Sequence, residues 1–238
     1  MNYMGSRRKA APVIVPIINK YITLNKITKI YDCCCGGAYM TDKFFCDDIT
    51  AIDLSPSLIS LHQQAQSDFS KIPLEGSREY WDNAYSEWKK YTKKSNYQPQ
   101  MPLYEIGAIE WYSSQARGGF PRGYAKSTEK RDYFKEGRKA HYEQSLSPKY
   151  KKIKFICDDY KNIDIPHDAL IYIDPPHYGV KPYGISLNFN YKALYEWLKE
   201  KSQTNKIYIS EKYLPEEFDK FIIWQDTNEK LWFIDKPL

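Results

Sequence analysis

The hydrophobic positions of the chain fall into short, separated runs with two different rhythms. Lys29-Ile30-Tyr31-Asp32-Cys33, Ile49 to Leu54, Lys154 to Cys157, Leu170 to Ile173, Lys206 to Ser210, Phe221 to Trp224 and Leu231 to Ile234 are short runs bounded by polar or turn residues, most of them rich in β-branched or aromatic side chains. Each predicts a buried strand. Helical signals lie between them. Ser55-Pro56 offers an N-cap followed by Pro at the first helical position and predicts a helix to about Gln66. Tyr191 to Lys201 places Leu194, Trp197 and Leu198 on one helical face. Ser6 is read as the cap of an N-terminal helix to about Tyr21, made irregular by Pro12 and Pro16, and a short helical stretch is expected between Gly36-Gly37 and Phe45. Seven strands mostly crossed over by helices predict an α/β protein: a doubly wound, mixed seven-stranded, Rossmann-like sheet.

The rhythm changes between residues 67 and 150. Strand-like runs vanish, helical spacing dominates, and ten of the 22 Tyr lie between Tyr80 and Tyr150. Trp81, Tyr85, Trp88 and Tyr91 recur every three or four residues, a stripe expected to be core rather than a ligand site. Gly118 to Tyr124 reads as a loop with basic and aromatic residues interleaved, and Ser127 to about Ser145 as a charged helix. The expected organisation is one catalytic domain, residues 1–66 and 151–238, interrupted by a mainly helical lobe at 67–150.

Composition narrows the class. At 238 residues and 16% aromatic content the chain can bury a substantial core and is not a disordered tail. Ala10 to Asn19, its longest charge-free stretch near the N-terminus, is well short of the ~20 residues a bilayer span needs. The expectation is a cytoplasmic protein of a prokaryotic or phage-infected cell with no membrane partner. Five Cys, three of them consecutive at 33–35, make a poor disulfide framework and a poor zinc site, so no metal is expected. The net charge of +5 conceals a strong asymmetry: residues 1–30 carry +6, residues 115–152 carry +7, and the rest carries −8. Two basic segments on an acidic body suit an anionic polymer.

In open α/β sheets, ligands bind beyond the carboxyl ends of the strands where strand order reverses. Asp32 to Gly37 ends the first strand with glycines that allow close approach of a ligand, and Asp53 ends the second, where a carboxylate can take ribose hydroxyls. No Gly-x-Gly-x-x-Gly phosphate cradle is present, so a nucleoside without a pyrophosphate fits better. Asp174-Pro175-Pro176-His177-Tyr178 follows the fourth strand. Two prolines give a stiff turn without amide hydrogens. An amine with two hydrogens can donate one to Asp174 and one to the Pro175 carbonyl, which localises its lone pair, while an aromatic side chain stacks on its ring.

These segments resemble the Dam-like, class alpha, adenine-specific DNA methyltransferases over nearly the whole chain. Tyr3 to Arg7 resembles their opening motif, Asp32-Cys-Cys-Cys-Gly36-Gly37 their cofactor loop, Asp53 their ribose acid, Asp159 before Tyr160 the acid near the cofactor adenine, and Asp174 to Pro176 their catalytic motif. Ser210-Glu211, Pro215 to Phe218 and Glu229-Lys230-Leu231 resemble further signatures of the class. His177 stands where the class has Tyr or Phe, and Cys33 and Cys34 stand where it has Pro and Phe. The resemblance implies base flipping and transfer of a methyl group from S-adenosyl-L-methionine to adenine in double-stranded DNA, in a setting such as restriction–modification. It implies cofactor contacts from Tyr3, Arg7, Asp32, Gly36, Gly37, Asp53, Asp159 and Asp174, and catalysis by Asp174, Pro175, Pro176, His177 and Tyr178. The basic segment is expected to contact DNA through Arg117, Arg122, Lys126, Lys130, Arg131, Lys135, Arg138 and Lys139. No obligate protein partner is expected, and the chain is expected to be a monomer or weak dimer. The alternatives left open are methylation of RNA or of a protein amide, and a catalytically silent DNA-binding homologue.

Overall fold

The computed structural model describes residues 9–94, 96–179, 189–227 and 229–237; Tyr3, Ser6 and Arg7 lie outside these, and of Arg117 only the backbone is described. The described residues form two compact units, one containing 55–151 and the other the flanking segments up to 54 and from 152.

The flanking unit carries the sheet. Its strands are β1 (Lys29–Cys33), β2 (Asp48–Asp53), β3 (Lys154–Cys157), β4 (Leu170–Ile173), β5 (Lys206–Glu211), β6 (Ile222–Gln225) and β7 (Lys230–Ile234), in the order β3-β2-β1-β4-β5-β7-β6. The first five in this order pair in parallel, whereas β7 runs antiparallel to both β5 and β6. This is the Rossmann-like α/β sheet expected from the sequence, and its order reverses between β1 and β4.

Alternation along β5 sorts its two faces. Ile207 and Ile209 join Ile171, Ile173 and Trp232 in a buried cluster with Leu194, Trp197 and Leu198 of the helix Tyr191–Lys201. Tyr208 points the other way and stacks on Phe233 at 4.4 Å, with Tyr21 of α1 (Ala11–Leu24) against Phe233 at 4.7 Å. Helices therefore cover both faces, as a parallel sheet requires. The N-terminal helix differs from its expected bounds: it starts at Ala11 with no side-chain cap, keeps Pro12 in its first turn, carries Pro16 inside and runs on to Leu24. The stretch before Phe45 is a single 3-10 turn, Thr41–Lys43.

The other unit is built from α2 (Pro56–Ser67), α3 (Arg78–Tyr91), α4 (Leu103–Ser113) and α5 (Tyr133–Ser145). Ser55 caps α2 by accepting the Leu58 amide, as its sequence implies. α4 is the hub, buried on every side from Ile106 to Ser113. Gly107 brings it against α2, for a Cβ there would lie 2.2 Å from the Ser57 carbonyl oxygen. The Ser57 hydroxyl donates to buried Glu110 at 2.8 Å across the same contact. The stripe on α3 is core, with Trp81 and Trp88 buried and packed on Phe120 at 5.4 and 5.7 Å. A buried chain of hydrogen bonds runs His62, Tyr150, His141, Tyr112 with spacings of 2.6, 2.8 and 2.6 Å, so these four side chains satisfy one another inside the core. The charged helix expected from Ser127 begins only at Tyr133. Asp132 caps it by accepting the Lys135 amide, while Thr128 and Arg131 are tied instead in a β-bridge. The Tyr191–Lys201 helix of the sheet unit is α6.

Candidate active site

Parallel register sets the strand ends side by side. Cys33 of β1 stands opposite Ile52 of β2 and Ile173 of β4, and the backbone continues that alignment beyond the strands. The Cys35 amide donates to the Ile52 carbonyl at 2.9 Å and the Asp174 amide to the Cys33 carbonyl at 3.2 Å. Three carboxylates predicted separately from sequence, Asp32, Asp53 and Asp174, thus gather at the carboxyl edge where strand order reverses.

The loop after β1 is shaped by backbone that favours glycine. Gly36 has φ of +49° and donates its amide to Asp53 Oδ2 at 3.0 Å, which fixes the carboxylate at the end of β2. Cys34 and Ala38 also have positive φ, +66° and +52°, conformations a side chain adopts at a cost. Asp32 is 1% exposed. Its Oδ2 accepts the Thr41 hydroxyl, and its Oδ1 is buried with no hydrogen-bond partner among the described residues. Burial pushes its carboxyl from an ordinary 3.8 up to about 8, the Thr41 hydrogen bond opposes this, and the negative charges of Asp174 and Asp53 reinforce it.

Asp159 serves a local role: its Oδ1 accepts the Lys161 amide at 3.0 Å, its Oδ2 lies 3.1 Å from Lys161 Nζ, and the preceding Asp158 amide donates to the Asp53 carbonyl. Tyr160 beside it is buried edge-on to Trp197 at 4.9 Å.

The Asp174 turn leaves β4 with Asp174, Pro176 and His177 half-buried, Pro175 buried and Tyr178 half-exposed at 51%. The Tyr178 ring lies against Tyr191 at 5.1 Å and Tyr213 at 5.6 Å. Two residues outside the predicted catalytic and cofactor set support the turn. Tyr191 donates its hydroxyl to the Pro176 carbonyl at 2.9 Å. Glu211, 1% exposed at the end of β5, accepts the Tyr178 amide at 3.3 Å and the Lys212 amide at 2.6 Å on Oε1, while Oε2 is buried with no partner among the described residues. Burial pushes the Glu211 carboxyl up to about 7, the Lys212 and Tyr178 amides oppose this, and Asp174 reinforces it. Ser210, next to it, donates its hydroxyl to Glu229, so two of the C-terminal signatures meet across β5 and β7.

The cations of the helical unit divide by their partners. Lys126 and Lys130 are exposed, and Arg122 is half-buried at the end of a tight turn between Gly119 and Gly123. Arg131 is held on Glu136 by a hydrogen bond of 2.9 Å. Arg138 is committed to the chain itself, donating to the Pro73 carbonyl at 2.9 Å and lying 5.0 Å over the Phe69 ring. It also lines, with Leu74, Lys135, Lys139 and Tyr142, an open cleft of about 380 Å³ along α5.

A buried, unpartnered acceptor on Asp32, flanked by two more carboxylates and a glycine turn, fits a cationic nucleoside ligand such as S-adenosylmethionine, whose sulfonium and amino groups are both positive. Among the described residues no helix is long and apolar enough to cross a membrane. No curated protein matches the chain significantly. Among solved structures it is similar to the rRNA methyltransferase aviRa from Streptomyces viridochromogenes, with 10% identity, TM-score 0.39, and coverage of 93% of this chain and 84% of that one. It is also similar to SMU.472 in complex with SAH, with 9% identity, TM-score 0.33, and coverage of 98% of this chain but only 55% of that one. The profile of the D12 class N6 adenine-specific DNA methyltransferases matches residues 3–229, nearly the whole length. The chain therefore belongs to this family, enzymes that use S-adenosylmethionine to methylate the exocyclic amine of adenine in DNA.

Proposed function

We propose that this chain flips an adenine out of duplex DNA and presents its amine to the methyl donor at the Asp174 edge of the sheet, with the residue roles that follow. The observation that carries the reading is the convergence of Asp32, Asp53 and Asp174 at the β1/β4 reversal, tied by the Gly36–Asp53 and Asp174–Cys33 hydrogen bonds. When bound, S-adenosylmethionine supplies an electrophilic methyl group on its sulfonium. Asp53 holds the ribose, Gly36 and Gly37 let the backbone approach, Asp32 offers its buried carboxyl to the cationic end, and Tyr3, Arg7 and Asp159 complete the pocket. Asp174 and the Pro175 carbonyl each take one amine hydrogen, Pro176 stiffens the turn, and His177 stacks on the base. Rate comes from alignment and from carboxylate stabilisation of the amine as it becomes positive. The methylated nitrogen would then give its proton to Asp174 or to solvent, leaving the neutral methylamine and S-adenosylhomocysteine.

Residues 67–150 act as the target-recognition lobe. Lys126, Lys130, Lys135 and Lys139 neutralise phosphates, which positions the duplex without reading it, and Arg122, presented by its glycine-flanked turn, reads a base edge. Arg117, Arg131 and Arg138 add to the positive field of this segment. The protein works as a monomer or weak dimer in the cytoplasm without an obligate protein partner. The test is transfer of labelled methyl groups to duplex DNA, single-stranded RNA and bulk protein side by side, with Asp174→Ala as control. Label confined to adenine in duplex DNA and lost in the variant is expected; label on RNA or protein, or DNA binding without label, overturns the reading.

A further inference from the structure

The Asp174 turn owes little of its shape to its own sequence beyond Pro176. Among the described residues past the prolines, 177–179, there are no helical or strand hydrogen bonds; a Cβ at Gly179, whose φ is +73°, would meet nothing within 4 Å, and Tyr178 beside it is 51% exposed. Its backbone is instead held from two other elements. Tyr191, at the start of α6, donates to the Pro176 carbonyl, and Glu211, at the end of β5, accepts the Tyr178 amide. His177 lies between these two fixed points. Glu211 is 1% exposed, and one of its two carboxyl oxygens has no partner among the described residues, a costly arrangement if the side chain served packing alone.

We propose that Glu211 is a positioning residue for methyl transfer, anchoring the turn through the Tyr178 amide so that His177 faces the flipped base beside Asp174. This rests on the assignment of Asp174 to Pro176 as the catalytic turn. Glu211 touches neither base nor methyl donor; it acts through the backbone. An imidazole presents a smaller face than a phenol ring, so its stacking tolerates less misalignment, and a rigid backbone on both sides of it compensates.

Two variants separate anchoring from mere filling of space. Glu211→Gln keeps an acceptor oxygen for both amides; Glu211→Met fills the same volume without one. Thermal melts establish that each is folded. Hydrogen exchange of the Tyr178 amide is expected to quicken about tenfold or more in Glu211→Met and to stay near the native rate in Glu211→Gln. In steady-state assays, Glu211→Met lowers kcat about tenfold or more with KM for the methyl donor within about twofold, and Glu211→Gln restores most of kcat. Tyr191→Phe, which releases the Pro176 carbonyl, lowers kcat in the same direction without altering KM for the donor and carries the test if Glu211→Met does not fold. Native exchange in Glu211→Met, or a Glu211→Gln as slow as Glu211→Met, overturns the proposal. A native protein that methylates no adenine in DNA overturns the catalytic assignment instead, and amide exchange still decides whether Glu211 is the anchor.

Discussion

Replacing Asp32 by Asn should stabilise the protein, and the gain should depend on pH in one direction. The native carboxyl is 1% exposed and its folded value stands at about 8 against an ordinary 3.8. Between those values the folded chain holds a proton that the unfolded chain has released, so stability falls as pH rises through the window and the penalty vanishes below about pH 4. At ~1.4 kcal/mol per pH unit, the penalty is about 4 kcal/mol at pH 7 and less than half of that at pH 5. Asparagine is neutral throughout, has nearly the same shape, and keeps an oxygen to accept the Thr41 hydroxyl. For a chain of this size, ~1 kcal/mol moves Tm by about 2–4 °C, so Asp32→Asn should melt about 8–16 °C higher at pH 7 and by less than half of that at pH 5. Melts of both proteins from pH 5 to pH 8 read the difference, and titrating groups remote from Asp32 cancel between them. A gap that is flat with pH, or one that widens on acidification, refutes the reasoning. Binding of S-adenosylmethionine should weaken in the same variant, because a cationic ligand can draw the proton off the Asp32 carboxyl and be met by its charge, whereas an amide stays neutral.

Three further outcomes follow from the same geometry. Gly107→Ala places a methyl group 2.2 Å from the Ser57 carbonyl oxygen and prises apart the Ser57–Glu110 hydrogen bond, so despite the better helix former it should lower stability by about 2–4 kcal/mol in chemical denaturation; an unchanged midpoint would mean the α2–α4 contact yields freely. His177→Ala should cost about 1–3 kcal/mol of base stacking, seen as a ~5- to 150-fold loss in kcat/KM on duplex DNA, while His177→Tyr keeps or exceeds native activity; equal losses in both would show that the ring does not stack. The Lys135→Ala/Lys139→Ala double variant should lower the slope of log affinity against log salt by about 2 for any duplex, whereas Arg122→Ala should erode preference for the target over a scrambled duplex, and identical behaviour of the two would remove the distinction between them.

What was legible in the sequence follows from where one interaction dominates. β1, β3, β4 and α6 have the expected bounds, because β4 is an apolar run buried throughout, β1 and β3 are short apolar-rich runs opening on an exposed Lys, and α6 keeps Leu194, Trp197 and Leu198 on one face. α4 had no such mark: buried all round, it lacks the apolar stripe that separates a helix from a buried run. The sequence predicts the start of α5 six residues early because a polar segment with no breaker reads as helix, and only the Asp132 cap and the Thr128–Arg131 bridge end the ambiguity. At the site, Asp32, Asp53 and Asp174 were found by one rule, carboxylates at strand ends. Glu211 obeys the same rule, at the end of β5, yet its role depends on an amide 33 residues away in sequence. Thr41 and Tyr191 carried no signal, since a hydroxyl gains meaning only from the acceptor it meets in three dimensions.

The consecutive cysteines of the cofactor loop have a chemical consequence. A sulfonium methyl donor alkylates the best nucleophile within reach, and a thiolate outranks a purine amine by a wide margin. Burial first, and then the carboxylates of Asp53 for Cys34 and Cys35 and of Asp32 for Cys33, push these thiols well above their ordinary 9.0. Protonated sulfur is a feeble competitor. The acidic edge that suits a cationic ligand thereby also guards the enzyme against methylating itself.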